Sequence, residues 1–421
     1  MKDSFEKLTL PNGVRIVYEK MPQVRSVSMG ILTGVGSRME KAQENGASHF
    51  IEHMVFKGTQ SRTAQDLAFQ MDAIGGQTNA FTTKECTCFH GRVLNTHLDR
   101  LSDILCDMYF NARFSESDVR NERGVISEEI DMYNDTPDDL VAERLFTAVF
   151  AGSPLARPIL GKKATLDKMT GESLRRFMQS HYVPSAVVVA LAGDITAGGV
   201  EDIAARFEQM PARPAQQMKP AAYTPAFTVK KKSIEQNHLC IGFPGLSVSD
   251  DRRYAFQLMS SILGGGMSSR LFQKVREENG LCYSIYTFGS SYIDTGIFCI
   301  YTALSKDTEK DALELICGEL RRFLDDGVTQ EELSMAREQV KANVLMSLES
   351  TGSRMHRLAK NELYLDGVPD IDSVIEAYDR VTAEEVLELA RTFLDKGRLS
   401  FSAVGRTADV ETYQQLLDRN L

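Results

Sequence analysis

The spacing of hydrophobic and polar residues predicts one series of strands and helices that occurs twice along the chain. Apolar residues alternate with small or polar ones in SVSMGILTGVGSR and again in NHLCIGFPGLSV, which predicts a strand early in each series. Apolar residues recur at helical spacing in THLDRLSDILCDMYF and in DTEKDALELICGELRRFL, and helix-capping signatures follow at Ser115 and Thr329. A strand-like run closes each series, VVVALAG in the first and LSFSAVG in the second. The sequence therefore predicts two similar domains.

A proline-rich segment separates the two series. Four of the 12 prolines fall within residues 211–225, a density that neither a helix nor a central strand tolerates. We predict an N-terminal domain at residues 1–210, a linker at 211–228 and a homologous C-terminal domain at 229–421. Because strands give way to paired helices in each series, the predicted fold class is α+β, each domain having a mostly antiparallel sheet with helices on one face. We expect the domains to form a clamshell around a cleft.

Composition and charge narrow the classes of partner. The 421 residues contain 48 Lys and Arg against 58 Asp and Glu, a formal net charge of -10, which disfavours binding to nucleic acid or to an anionic membrane surface. The longest apolar run, residues 186–192, is much shorter than the ~20 residues of a spanning helix. The N-terminus lacks the apolar core of a secretory signal, and the seven cysteines include no CxxC pair. We expect a cytoplasmic protein with reduced thiols.

One segment of the first half, ASHFIEHMVF, carries side chains suited to metal chemistry. On a helix, His49, Glu52 and His53 lie within about one third of the circumference, and apolar residues fill most of the rest. Burying two imidazoles and a carboxylate without partners costs several kcal/mol, so something must satisfy them. Two His at this spacing can bind one Zn²⁺, with the Glu as general base on its water, as in an inverted HExxH motif. A hydrogen-bonded polar cluster in the core is the alternative.

A second segment, SESDVRNERGVISEEIDMY, offers carboxylates that could complete the site. Its capping signature and apolar spacing predict a helix on which Glu122 and Glu129 share one stripe with apolar residues, while Glu128 faces elsewhere. The spacing allows Glu129 to be the third ligand and Glu122 a supporting carboxylate, or the reverse. An exposed, salt-bridged helix face is the alternative reading of the same residues.

These motifs resemble those of the insulinase and pitrilysin-type metallopeptidases, the inverzincins. The resemblance rests on His49-Phe-Ile-Glu-His53 followed by Glu129, 76 positions after His53. It extends over nearly the whole chain, through NERGVISEEIDMYNDTPDDL, RPILG, HYVP and GGGMSSRLFQKVREENGLCYSIYT. In length and layout the chain is most similar to the mitochondrial processing peptidase subunits and their bacterial relatives of just over 400 residues.

The resemblance implies a role for each residue of the motifs. It implies one Zn²⁺ per chain with His49, His53 and Glu129 as ligands, Glu52 as general base on the zinc-bound water, and Glu122 as a supporting carboxylate.

The resemblance also implies where a peptide is held. Asn79, Ala80 and Phe81 match a strand that accepts an extended peptide by main-chain hydrogen bonding, although a mere strand start would look the same. Arg276 and Tyr283 in the second half match residues that reach across the cleft to stabilise the oxyanion.

The predicted function is that of a zinc endopeptidase acting on peptides or unfolded segments. The alternative is a non-catalytic or partner-dependent subunit of a complex like that of the processing peptidase, since such subunits occur among the relatives. Those that are inactive typically lose metal ligands or the general base, whereas this chain retains all of them. Members of this family of similar length often form dimers, so we expect a homodimer, although no single residue establishes it.

Overall fold

The computed structural model describes residues 5–421, so residues 1–4 of the predicted first domain lie outside it. The strands are β1 (Phe5–Thr9), β2 (Arg15–Lys20), β3 (Ser26–Thr33), β4 (Gln77–Thr82), β5 (Thr87–Leu94), β6 (Val187–Gly193), β7 (Phe227–Lys231), β8 (Asn237–Gly245), β9 (Cys282–Ser291), β10 (Gly296–Leu304) and β11 (Ser400–Gly405). The helices are α1 (Ala47–Met54), α2 (Ala64–Ala73), α3 (Leu98–Asn111), α4 (Glu116–Asp135), α5 (Pro137–Val149), α6 (Lys163–Leu166), α7 (Gly171–His181), α8 (Ala197–Phe207), α9 (Arg253–Gly264), α10 (Glu309–Asp326), α11 (Gln330–Ser347), α12 (Thr351–Leu365), α13 (Ile371–Arg380), α14 (Ala383–Phe393) and α15 (Val410–Asn420), with a π-helical segment at Phe272–Glu277.

The first sheet has the strand order β1-β2-β6-β3-β5-β4, which places β4 at a free edge. All neighbouring strands pair antiparallel except β2 with β6. Helices α1, α3, α7 and α8 cover one face of this sheet and share a core with it. We call this face the α1 face. It carries the metal-binding motif of the sequence.

The second sheet repeats this plan with the strand order β7-β11-β8-β10-β9. Only the pair β7 and β11 is parallel. Helices α9, α10 and α14 pack on one face and enclose a second core with the strands. The predicted capping signatures are present in both halves, because Ser115 Oγ accepts from the Asp118 backbone N–H at 3.2 Å and Thr329 Oγ1 accepts from that of Glu332 at 3.2 Å. The predicted α+β class with two similar halves is confirmed.

Each sheet also receives one helix from the opposite half of the sequence. Helix α12 packs on β6, β3 and β2, on the face of the first sheet that we call the α12 face. Helix α5 packs in the same way on β11 and β8 of the second sheet. Glycine allows the close approach of α12, since a Cβ at Gly30 would lie 2.4 Å from Met355 Sδ.

This exchange of helices changes the predicted domain limits of 1–210 and 229–421. One compact unit comprises the described residues up to Ile130 together with Arg157–Lys219 and Leu345–Ile371, and the other comprises Asp131–Ala156, Pro220–Val344 and Asp372–Leu421. The sequence repeat does not reveal the exchange, because α5 and α12 each follow the helices of their own half without a break. The predicted linker contains no helix or strand from residue 211 to residue 226, and β7 begins within its last residues. None of the helices described is both long enough and apolar enough to cross a membrane.

The contact between α12 and the first sheet is expected to contribute strongly to stability. Met355 is fully buried against the α12 face, so Met355→Ala leaves a cavity that we expect to lower the free energy of unfolding by about 2 to 4 kcal/mol. Urea unfolding of the full chain measures this change. Met346→Ala is the matched control, because 59% of Met346 is exposed and its truncation should cost less than about 0.5 kcal/mol. Equal effects of the two substitutions would contradict the packing described.

Candidate metal centre

Helix α1 begins at a buried carboxylate that fixes its first turn. Glu40 Oε2 accepts a hydrogen bond from the Gly46 backbone N–H at 2.8 Å, and Glu40 Oε1 accepts one from that of Ser48 at 2.8 Å. These bonds satisfy N–H groups that a helix start leaves without partners. Burial raises the pKa of Glu40 to about 7, although the hydrogen bonds from Asn45 and from these backbone groups oppose the rise. The start of α1 is therefore anchored in the core.

Helix α1 buries its apolar side chains on one side and carries the histidines and Glu52 on the other side. Phe50, Ile51 and Met54 are fully buried in the core of the first sheet. His49 is buried, whereas Glu52 and His53 are half-buried on the same side of the helix. The predicted helix and its polar stripe are confirmed.

Helix α4 brings the predicted third ligand to the two histidines. Glu129 Oε2 lies 3.6 Å from His49 Nε2 and 3.6 Å from His53 Nε2. One ligand atom from each of these three residues lies within 4.8 Å of the others. Glu122, two turns earlier on α4, lies instead on the opposite side of the His53 ring, with its Oε1 2.9 Å from His53 Nδ1. Of the two assignments that the spacing left open, this geometry favours Glu129 as the ligand.

The hydrogen bonding of these groups fits a bound cation. Since His53 Nδ1 faces the Glu122 carboxylate, it must donate, and a neutral ring then presents the lone pair of Nε2 to Glu129. Burial, followed by the neighbouring His53, lowers the pKa of His49 to about 3, so its ring is neutral and keeps one nitrogen lone pair for a metal. Glu129 Oε2 is buried and has no hydrogen-bond partner among residues 5–421. Two imidazole nitrogens and a carboxylate oxygen that converge in this way are suited to a divalent metal such as zinc.

The groups around the ligands hold them and the predicted base in place. Lys57 Nζ lies 2.7 Å from Glu122 Oε2, on the side away from His53. Burial would raise the pKa of Glu122, but the hydrogen bonds from His53 and Lys57 outweigh it and lower that pKa. Thr82 Oγ1 donates to Glu52 Oε2 at 2.6 Å. Burial raises the pKa of Glu52, and the Thr82 hydrogen bond opposes this rise. Glu52 therefore has one oxygen fixed by a hydroxyl.

The predicted peptide-contact residues lie on β4, whose outer edge has no neighbouring strand in the part of the chain that the structure describes. Ala80 turns its side chain into the core, while Asn79 is exposed and Phe81 is half-buried on the α12 face. The Ala80 backbone N–H donates to Asn79 Oδ1 at 2.8 Å. The outer edge of β4 is where an added strand would pair.

The predicted residues of the second half lie together in the second unit. The guanidinium carbon of Arg276 lies 4.6 Å from the centroid of the Phe272 ring and 4.8 Å from that of Tyr283. Tyr283 stands near the start of the edge strand β9, and 75% of it is exposed. Stacking between two rings orients the Arg276 side chain. Arg276 Nε also lies 3.5 Å from the Glu277 carboxylate.

Comparisons with known proteins decide the family. A profile described as Insulinase (Peptidase family M16) matches residues 15–163, and one described as Peptidase M16 inactive domain matches residues 168–340. A Bacillus subtilis protein named uncharacterized zinc protease YmxG is 43% identical over 388 residues, which are 92% of this chain and 95% of that protein. The chain belongs to the insulinase family. A Streptomyces coelicolor protein, also named an uncharacterized zinc protease, is 39% identical over 417 residues, 96% of this chain and 90% of its own.

Solved structures share the fold of this insulinase-family chain at low sequence identity. A peptidase M16 inactive domain from Pseudomonas fluorescens matches with a TM-score of 0.89 at 19% identity, covering 96% of this chain and 99% of that one. A protease from Helicobacter pylori matches with a TM-score of 0.88 at 19% identity, covering 96% and 100%. A chain of complex III2 from Candida albicans matches with a TM-score of 0.85 at 19% identity, covering 98% and 99%. These likenesses concern the fold alone.

Sequence reasoning missed three residues that support the metal centre of this insulinase-family chain. They are Glu40, which caps α1, Lys57, which neutralises Glu122, and Thr82, which binds Glu52. The signal for Lys57 was available, because it follows His53 by one helical turn. The signal for Thr82 was weaker, although alternation along β4 places it on the face opposite to Phe81. No sequence signal pointed to Glu40, because it contacts α1 from a separate turn.

Proposed function

We propose that the chain is a zinc-dependent endopeptidase that hydrolyses peptides or unfolded segments. The observation that supports this most is the convergence of His49 Nε2, His53 Nε2 and Glu129 Oε2, with Glu52 on the same side of α1. Three protein ligands leave a position open for water or substrate, as in hydrolytic zinc sites. The two bacterial relatives are named zinc proteases, which agrees with this proposal.

The residues of the site have distinct tasks in this reaction. Bound zinc would supply a Lewis acid that polarises the scissile carbonyl and makes water more acidic. Glu52 takes the proton of the attacking water on Oε1, because Thr82 occupies Oε2, and then donates it to the leaving amine. Glu122 keeps His53 oriented and is itself balanced by Lys57. The substrate pairs with the edge of β4 near Asn79 and Ala80.

The direct test is metal-dependent cleavage of a peptide mixture. We expect the purified full chain to cleave unstructured peptides internally, a chelator to stop the cleavage, and added zinc to restore it. Mass spectrometry of the products checks all three. Complete absence of cleavage by zinc-loaded protein would favour the second candidate, a non-catalytic or partner-dependent subunit. That candidate is favoured by the match to a domain described as inactive and by the likeness to a chain of complex III2.

Loss of the Thr82 hydroxyl should slow hydrolysis without removing the metal. Thr82→Val keeps the shape of the side chain but cannot hold Glu52 Oε2, so we expect kcat to fall about tenfold, with zinc content and KM nearly unchanged. Thr82→Ser, which retains the hydroxyl, is the matched control and should recover most of the activity. Equal activities of the Val and Ser variants would show that the hydroxyl does not position the base.

We also propose that Arg276 and Tyr283 stabilise the oxyanion that forms on the substrate carbonyl. On this basis Tyr283→Phe should lower kcat/KM roughly 30-fold with little change in thermal stability, because its hydroxyl is the only group removed. Arg276→Ala should have a similar effect. Tyr286→Phe on the same strand is the control and should behave as the unmodified chain. Full activity in both Tyr283→Phe and Arg276→Ala would exclude the second half from the site.

The remaining sequence predictions concern assembly and location. We propose a homodimer, whose mass is measured by light scattering on the purified chain. The cytoplasmic location and the lack of nucleic-acid and membrane partners stay predictions.

A further inference from the structure

A group of aromatic and basic side chains lies on the α12 face beside the free edge of β4. Asn79 pairs in register with His90, and Phe81 pairs with Cys88, so all of these side chains point to the α12 face. His356 reaches over them from α12, with ring centroids 4.8 Å from His90 and 5.5 Å from Phe81. Together these side chains line the α12 face along β4.

The charged members of this group are all positive. Lys360, one turn after His356 on α12, places its Nζ 5.9 Å from the centroid of the Phe81 ring. Arg92 stands on the same face of β5, two residues from His90. Lys360 and Arg92 are both exposed, and neither forms an ion pair with a carboxylate among residues 5–421. The two side chains are therefore available to pair with an anionic group.

The titration of His356 supports this view of its surroundings. Burial, followed by the neighbouring His90 and Lys360, lowers the pKa of His356 to about 4. The charged groups that act on it include no carboxylate that raises the pKa. His356 is thus a neutral ring in a positive environment, although the chain as a whole carries a net charge of -10.

A peptide paired with β4 would turn alternate side chains toward this group, because successive residues of a strand point to opposite faces. We propose that the α12 face of the β4 edge is a substrate subsite for an acidic side chain, with Lys360 as the residue that selects it. The proposal rests on the proposed function, since it assumes that substrate pairs with β4. An Asp or Glu side chain there would meet Lys360, while its methylene groups would contact the Phe81 ring.

Peptide binding to a catalytically blocked full chain tests this selection without cleavage. The probe is a fluorescent peptide that alternates Val and Glu, which gathers all its carboxylates on one face of a strand. A matched peptide alternates Val and Gln. In the Glu52→Gln chain we expect the Glu peptide to bind about threefold or more tightly than the Gln peptide, as measured by fluorescence anisotropy at moderate salt. The negative net charge of the protein alone would favour the Gln peptide over the Glu peptide.

Two variants locate the preference. Adding Lys360→Glu should abolish or reverse it, whereas Lys168→Glu, the same charge change at another exposed lysine of this unit, should leave it intact. A Gln peptide that binds as well as the Glu peptide, or a preference that survives Lys360→Glu, would overturn the subsite, as would a lack of binding by both peptides. These results do not depend on turnover. Failure of the endopeptidase proposal would appear separately, as absence of chelator-sensitive cleavage by the unmodified chain.

Discussion

Glu52→Gln should abolish most peptide hydrolysis while the protein keeps its metal. The amide has the size of the carboxylate and can still accept from Thr82, but it cannot take a proton from water. We expect kcat to fall at least roughly a hundredfold, with zinc content and thermal midpoint unchanged. Product analysis by mass spectrometry and metal analysis on the same preparation measure both quantities.

The control for this prediction is an exposed Glu→Gln change in the same unit. Glu172 lies on α7 and pairs with Arg176 at the surface, so Glu172→Gln should retain full activity. Hydrolysis at the unmodified rate by zinc-loaded Glu52→Gln protein would mean that another residue is the base. The proposed reaction would then need a different proton acceptor beside the metal.

Removing a metal ligand should instead lower the zinc content of the protein. His53→Ala leaves two protein ligands and also frees the Glu122 carboxylate, so we expect zinc to fall from about one per chain to a small fraction of that value. Glu129→Gln should have a similar effect, since it replaces the anionic ligand of the set. Metal analysis after dialysis measures the stoichiometry.

The neighbouring glutamate supplies a matched control. Glu128 is on the same helix as Glu129 but is exposed, so Glu128→Gln should retain both zinc and activity. Stoichiometric zinc in His53→Ala, or loss of zinc in Glu128→Gln, would contradict the ligand assignment. The pair of glutamates therefore tests the orientation of α4 as well as the identity of the ligand.

The elements that repeat a simple pattern could be predicted from the sequence, and those that depend on distant packing could not. The stripe of His49, Glu52 and His53 and the caps at Ser115 and Thr329 depend on residues a few positions apart, so their spacing is visible in one segment. The exchange of α5 and α12 depends on which sheet face is left uncovered in the folded chain. Alternation in β3 shows a buried strand without showing what covers it.

The candidate site divides in the same way. Spacing placed Glu122 and Glu129 on one stripe of α4, but which of them faces the Nε2 atoms of the two histidines depends on how α4 crosses α1. That crossing is set by packing across the core. The supporting group Glu40 reaches the site from a separate turn. The group around His356 joins residues more than 250 positions apart in sequence, which no local pattern reveals.

The most direct test of the central claim is anomalous X-ray diffraction at the zinc absorption edge from crystals of the full chain. The claim is that one zinc is held by His49, His53 and Glu129 beside Glu52. It predicts a single strong peak about 2.0 to 2.2 Å from His49 Nε2, His53 Nε2 and a Glu129 oxygen, with Glu52 outside bonding distance. A zinc-loaded crystal with no peak there, or with a peak bonded to Glu122 in place of Glu129, would contradict the claim.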